Sequence, residues 1–175
     1  MAGAQLQVVA AMGLCISLYA LYVEYKHEED SSYEAVCDIS EKMSCSKVLM
    51  SEWGHIMSRL RVVPEGHLLD LANATYGAMY YTVVFCHQML PMKSYRAKAG
   101  FVFGLTLPVA GISLYLAYVL FAVLQDVCLV CISLYIVNLA ILLISYAAFG
   151  TGGRAPAASG ASVSRPKSTE KTKSH

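Results

Sequence analysis

The sequence predicts an all-α membrane protein: a bundle of four transmembrane helices with a long luminal loop that contains a short interfacial helix. Three observations predict it. First, 57% of the 175 residues are hydrophobic and only 14% are charged, whereas soluble domains average about 25% charged. Second, four apolar stretches approach or exceed the roughly 20 residues that a helix needs to cross a bilayer core. Third, Lys and Arg gather in particular links between those stretches, as they do when one side faces the cytoplasm. The net charge of +1 excludes the concentrated basic surface that nucleic-acid binding requires.

The first stretch, Ala4 to Val23, has no basic residues ahead of it and no small-residue cleavage site before Glu24-Tyr25-Lys26. It therefore reads as a retained helix and not a secretory signal. Loop 26–72 follows and holds more acidic than basic residues. Within it Val48, Leu49, Trp53, Ile56, Met57 and Leu60 form an apolar stripe near helical spacing, which predicts one helix between Ser46 and Leu60 folded onto the membrane mouth. Trp53 suits that depth, because an indole buries its ring and still finds a partner for its N–H at the headgroup level.

The second stretch, Tyr76 to Leu90, stops at Pro91 and spans if Asn73-Ala74-Thr75 supply its first turn. The third and fourth run from Gly100 to Leu124 and from Val127 to Phe149. Lys93, Arg96 and Lys98 mark the second link as cytoplasmic, and Arg154, Arg165, Lys167, Lys171 and Lys173 mark the tail likewise. The acidic loop and Gln125-Asp126 then face the lumen, and both termini are cytoplasmic. Residues 1–149 form the membrane domain. Residues 150–175, rich in Gly, Ala, Ser, Pro and Lys, read as a disordered tail. The lysines of its closing Lys171-Thr172-Lys173-Ser174-His175 fit either an endoplasmic reticulum address or a plain solvated end.

Six cysteines divide by location. Cys15 and Cys86 lie inside helices and read as small buried hydrophobes. Cys37 and Cys45 lie in the loop, and Cys128-Leu129-Val130-Cys131 opens the last helix, all on the side where oxidation is permitted. Positions i and i+3 share a helix face, so the sulfurs of Cys128 and Cys131 can bridge. The helix N-terminus favours a thiolate at Cys128. A zinc site of four thiolates is an alternative, but Leu129 and Val130 between the ligands do not make a polar knuckle. A static Cys37–Cys45 bridge is another, and it leaves Cys128 and Cys131 without a purpose. The economical reading is a relay in which the loop pair exchanges electrons at the aqueous face and the helix pair exchanges them with a lipid-dissolved acceptor. A quinone, flat and apolar, takes two electrons and two protons.

Several ordered motifs between Gly13 and Tyr146 resemble the vitamin K epoxide reductase family. They are Leu18-Tyr19-Ala20-Leu21-Tyr22-Val23-Glu24, Tyr33-Glu34-Ala35-Val36-Cys37-Asp38-Ile39, Ser44-Cys45-Ser46-Lys47-Val48, Ser51-Glu52-Trp53-Gly54, Asn73-Ala74-Thr75-Tyr76-Gly77, Ser113-Leu114-Tyr115-Leu116-Ala117, and Asp126-Val127-Cys128-Leu129-Val130-Cys131-Ile132-Ser133-Leu134-Tyr135. The resemblance implies that Cys37 and Cys45 are a shuttle pair, that Cys45 forms a mixed disulfide with Cys128, and that Cys131 faces the quinone. It also implies that Asn73 and Tyr135 hydrogen-bond the quinone or epoxide oxygens. Tyr76 and Tyr80, on one side of their helix, are further candidates for contact with the ring, and Trp53 and Leu49 from the loop complete the substrate-binding set. The chain departs from the family pattern at His55-Ile56, where Arg-Gly is common, and at Leu49, Asp70 and Leu134.

The expected activity is thus a thiol:quinone oxidoreductase of the endoplasmic reticulum membrane with no permanently bound cofactor and no metal. It would reduce vitamin K epoxide and quinone, and a separate luminal thioredoxin-fold protein would supply the electrons. A quinone-dependent disulfide-generating enzyme would use the same residues. A non-enzymatic four-helix scaffold would need only the loop disulfide. The sequon Asn73-Ala74-Thr75 opens a membrane helix, where a glycan would block the site.

Overall fold

In the computed structural model of the chain, residues 2–150 are described, except Glu41, Val63, Glu65, Gly66, Leu68 and 91–94. The expected tail and Lys93 lie outside the described residues. Those described are mostly helical: α1 (Ala2–Glu29), α2 (Cys45–Leu49), α3 (Ile56–Arg59), α4 (Asn73–Met89), α5 (Tyr95–Tyr118) and α6 (Leu129–Gly150). A 3-10 turn, Glu52–Gly54, lies between α2 and α3, and α5 runs on into a π-helical stretch, Val119–Leu124.

Among the described residues three helices are long and apolar enough to cross a membrane: Ala2–Glu29, Arg96–Leu124 and Leu129–Gly150. Helix α4 is shorter, with 17 residues, about 25 Å at 1.5 Å per residue. It does begin at Asn73, as the sequence suggested. At its far end Leu90 turns to an extended conformation ahead of Pro91, as a following proline favours.

Helix α1 packs against α4 and α6, and α5 against α6. The buried stripe of α1 is Leu6, Ala10, Gly13, Ser17, Ala20 and Val23, mostly small residues that let a neighbouring backbone come close. At Gly13 an added Cβ would stand 2.5 Å from the Tyr81 ring, so glycine is what lets Tyr81 lie flat across α1. Two apolar cores result. One joins Leu6, Ala10, Tyr80, Tyr81, Val84, Val102, Val137 and Ile141. The other, at the end of the bundle under the loop, joins Ala20, Val23, Cys45, Val48, Ala74, Leu120, Cys128 and Val130.

The loop departs from expectation. The stripe between Ser46 and Leu60 forms three short turns in place of one helix. Ser51 is extended (φ −69°, ψ 161°), which ends α2, and the chain folds back so that Gly54 lies against the Leu49 carbonyl, where a Cβ would overlap it. Periodicity reports which residues face inward, but it does not register a backbone contact of this kind. Discrete polar bonds hold the rest. The Ser44 hydroxyl caps α2 by accepting from the Lys47 N–H at 3.2 Å. The Asp38 carboxylate accepts from Ala35 N–H at 2.8 Å and Ser46 N–H at 3.1 Å. Lys47 pairs with Asp126 at 2.9 Å, and Val127 N–H donates to the Lys42 carbonyl at 2.9 Å, tying the loop to the α5–α6 link.

A second correction concerns Cys15 and Cys86, which are exposed on the outer faces of α1 and α4. The rule that a lone thiol is buried assumes water outside, whereas the outer face of a membrane helix is itself apolar.

Candidate active site

Cys128 occupies the N-cap position of α6, and its sulfur accepts a hydrogen bond from the Cys131 N–H at 3.2 Å. It thereby satisfies one of the amide donors that a helix start leaves open. Cys128 is fully buried.

Cys37 and Cys45 are joined in a disulfide with their Cα atoms 5.8 Å apart, while Cys128 and Cys131 are free. Cys45 and Cys128 share the core under the loop, and Cys37, Cys131 and Tyr135 pack against it. The two pairs, which belong to distant parts of the sequence, therefore meet. The ligand atoms of Cys37, Asp38 and Cys45 lie within 4.8 Å of one another. With two of those sulfurs bonded together, the four-thiolate zinc alternative is two ligands short.

Beside this core lies a largely apolar cavity of about 180 Å³. The sequence-predicted residues sort cleanly around it. Cys131 and Tyr135 from α6, Asn73, Tyr76 and Tyr80 from α4, and Leu49 and Trp53 from the loop all line it. Cys37, Cys45 and Cys128 do not. Among the four cysteines on this side, Cys131 is the one that meets the cavity, and Cys128 stands between it and the loop.

Hydrogen bonds decide what each lining group has to offer. Asn73 straps the loop down: its Oδ1 accepts from Ile56 N–H at 3.0 Å and its Nδ2 donates to the Trp53 carbonyl, which leaves one amide hydrogen uncommitted. Tyr76 donates to the Leu69 carbonyl, and the Tyr80 hydroxyl lies 2.9 Å from Thr106 Oγ1. The Tyr135 hydroxyl has no such bond among the described residues and remains available to a guest. Trp53 meets Tyr115 edge-on, ring centroids 6.1 Å apart, and carries Arg59 4.8 Å above its ring. The indole is thus part of a lid over the cavity.

Sequence reasoning missed several lining groups. Tyr81 donates to Asn138 Oδ1 at 2.7 Å, and Asn138 Nδ2 donates to Ser113 Oγ at 2.8 Å, a polar chain across α4, α6 and α5. Glu24 also lines the cavity. The signal was present in each case, since a single amide in α6 and a carboxyl closing the apolar run of α1 are what intramembrane polar sites look like.

Helices of membrane length around an apolar cavity, with a free cysteine pair and a disulfide packed together at one end, define a membrane-embedded thiol oxidoreductase. A sequence model described as the vitamin K epoxide reductase family matches residues 5–146. Among curated proteins, vitamin K epoxide reductase complex subunit 1 of Rattus norvegicus is 36% identical over 135 residues, 77% of this chain and 82% of the relative. The protein of the same name from Mus musculus matches with the same identity and coverage. The chain belongs to the vitamin K epoxide reductase family.

Proposed function

We propose that the chain reduces vitamin K 2,3-epoxide to vitamin K quinone, and the quinone to the hydroquinone, in the endoplasmic reticulum membrane. The observation that carries this reading is the position of Cys131, alone of the four cysteines on this side in lining the apolar cavity, with Cys128 between it and the loop pair. In the quinone step the thiols of Cys128 and Cys131 close to a disulfide, and their two electrons and two protons convert the quinone to the hydroquinone. In the epoxide step the same electrons and protons release the epoxide oxygen as water and leave the quinone. No permanently bound cofactor takes part.

The relay then runs backwards through the loop. A reduced Cys45 attacks the Cys128 sulfur, a transient Cys45–Cys128 bond forms, and Cys37 resolves it, leaving the loop pair oxidised and the helix pair reduced. The packing of Cys37, Cys45, Cys128 and Cys131 around one core supports an exchange between the two pairs. A luminal thioredoxin-fold protein recharges Cys37 and Cys45. The Tyr135 hydroxyl and the uncommitted Asn73 hydrogen bind the substrate oxygens, where preorganised donors stabilise developing charge. The quinone ring packs among Tyr76, Tyr80, Trp53 and Leu49.

In the membrane, α4 serves as a fourth crossing, both termini are cytoplasmic, and the loop is luminal. The charge pattern supports this, with Arg96 and Lys98 at one end of α5 and Asp126 beyond the other.

The test is turnover of vitamin K epoxide and of plain quinone by purified protein with a small dithiol. Wild type turns over both, and Cys131→Ala neither. Quinone turnover without epoxide turnover would instead make the chain a disulfide-generating enzyme. Equal behaviour of wild type and Cys131→Ala would leave only the scaffold.

A further inference from the structure

The relay accounts for the electrons and leaves one group in the cavity without a task. Glu24, on the last turns of α1, lines the cavity together with Cys131 and Tyr135 and is half-buried. No hydrogen bond or ion pair among the described residues explains a carboxyl at this place. No Lys, Arg or His lines the cavity among the described residues. The neighbouring cations are committed elsewhere, Lys47 to Asp126 at 2.9 Å and Lys26 to Glu29 at 2.7 Å. The other titratable groups facing this region are Glu28 one turn further along α1, Cys131 and Tyr135 from α6, and the phenols of Tyr76, Tyr80 and Tyr81 from α4. A structural carboxylate in a membrane-embedded site would have a paired cation, since an unpaired charge is expensive to bury there.

The reaction supplies the missing task. Each turnover breaks two S–H bonds and forms two O–H bonds, so two protons travel from sulfur to oxygen inside an apolar cavity. The amides of Asn73 and Asn138, and the Ser113 hydroxyl that accepts from Asn138, are poor proton carriers. A carboxyl exchanges a proton readily.

We propose that Glu24 is the proton-transfer group of the site, taking the proton from the Cys131 thiol as its sulfur is oxidised and delivering a proton to the substrate oxygen. The S–S bond forms between Cys128 and Cys131, both electrons leave sulfur for the substrate, the Cys128 proton follows the Cys131 proton through Glu24 once the first has been delivered, and Glu24 ends each turnover in the protonation state in which it began. In quinone reduction the delivered proton completes a hydroquinone O–H. In epoxide reduction it assists C–O cleavage and leaves in water. This role rests on the reading of the cavity given above.

The experiment compares wild type, Glu24→Gln, Glu24→Asp and Cys131→Ala, as full chains purified in detergent, with a dithiol and either vitamin K epoxide or quinone. It reads kcat, KM and their pH dependence. Glu24→Gln lowers kcat by on the order of 100-fold, the usual worth of a positioned acid or base, leaves KM within about 2-fold because the amide keeps the shape, and flattens the pH profile. Glu24→Asp recovers about 10-fold of the loss. A Glu24→Gln enzyme with wild-type kcat and pH profile overturns the proposal. So does a Glu24→Asp enzyme as slow as Glu24→Gln with KM raised in both, which would make Glu24 a packing element. The Cys37–Cys45 bond, read by mass after alkylation, shows whether each variant is folded; should Glu24→Gln lose it, Glu24→Asp decides by its pH profile. Wild type that turns over neither substrate refutes the parent reading and not this one.

Discussion

The loop-side half of the molecule and the opposite half are built on different principles. Away from the loop, long helices bury Tyr81 and Ile141 to 1% and 0% exposure in one continuous apolar core. Under the loop, α2, a 3-10 turn and α3 are too short to hold themselves. They are held by individual polar clamps: Asp38 on two amides, Asn73 on two loop residues, Lys47 on Asp126. A packed core resists in every direction, whereas a clamped loop can release one clamp at a time. A relay needs the second kind of construction where sulfurs must approach and part, and the first kind where a cavity must keep its shape.

Variants at four positions test that contrast, in falling order of effect. Ile141→Ala empties volume in the packed half and lowers global stability by about 2–5 kcal/mol. It appears as a large drop in detergent melting temperature, with KM unchanged in the protein that remains folded. Gly54→Ala places a methyl group on the Leu49 carbonyl and strains the loop by about 1–3 kcal/mol. Limited proteolysis between residues 30 and 72 accelerates and KM rises, while the melting temperature of the bundle holds. If that temperature falls with the loop, the two halves are one cooperative unit and the contrast fails.

Asn73→Ala removes both straps on the loop, about 1 kcal/mol per hydrogen bond. It raises KM several-fold, and Asn73→Asp, which keeps the acceptor for Ile56, falls between. The smallest effect is one of pH. Burial works to raise the Asp38 pKa, but hydrogen bonds from Ser46, Ala35 and Ser44 outweigh it and hold the carboxyl below its usual value. A group lowered on folding contributes stability above its unfolded pKa and loses it as pH falls through the folded value. Loop proteolysis therefore accelerates on acidification below about pH 4. Asp38→Asn removes that pH dependence and leaves the loop loose throughout.

Legibility in the sequence followed the same division. Long apolar runs placed α1, α5 and α6, and the need to bring the chain back placed the start of α4 at Asn73. The lining set was legible by two routes: helical spacing put Tyr76 and Tyr80 on one side of their helix, and the family resemblance pointed to Cys131, Tyr135 and Asn73. The loop was legible only in which residues face inward. Its three turns depend on the approach of Gly54 to Leu49, and no periodicity encodes that. The sequence also pointed to Asn73 as a donor but not to its use as a strap, since Trp53 and Ile56 lie far from it along the chain. Asn138 passed unnoticed because one polar residue barely disturbs an apolar average, and Glu24 was read only as the end of the first apolar run. Cys15 and Cys86 were misplaced because lipid reverses the meaning of an outward face.

In the proposed relay the sulfur that closes the first turn of α6 also carries electrons. Cys128 accepts the Cys131 amide while reduced, but a sulfur drawn towards Cys45 or bonded to Cys131 has to leave that geometry. Oxidation therefore unfastens the helix start, and reduction fastens it again. The Cys131 amide becomes a gauge of the electron count, exchanging slowly with deuterium in the reduced protein and faster once the dithiol is spent.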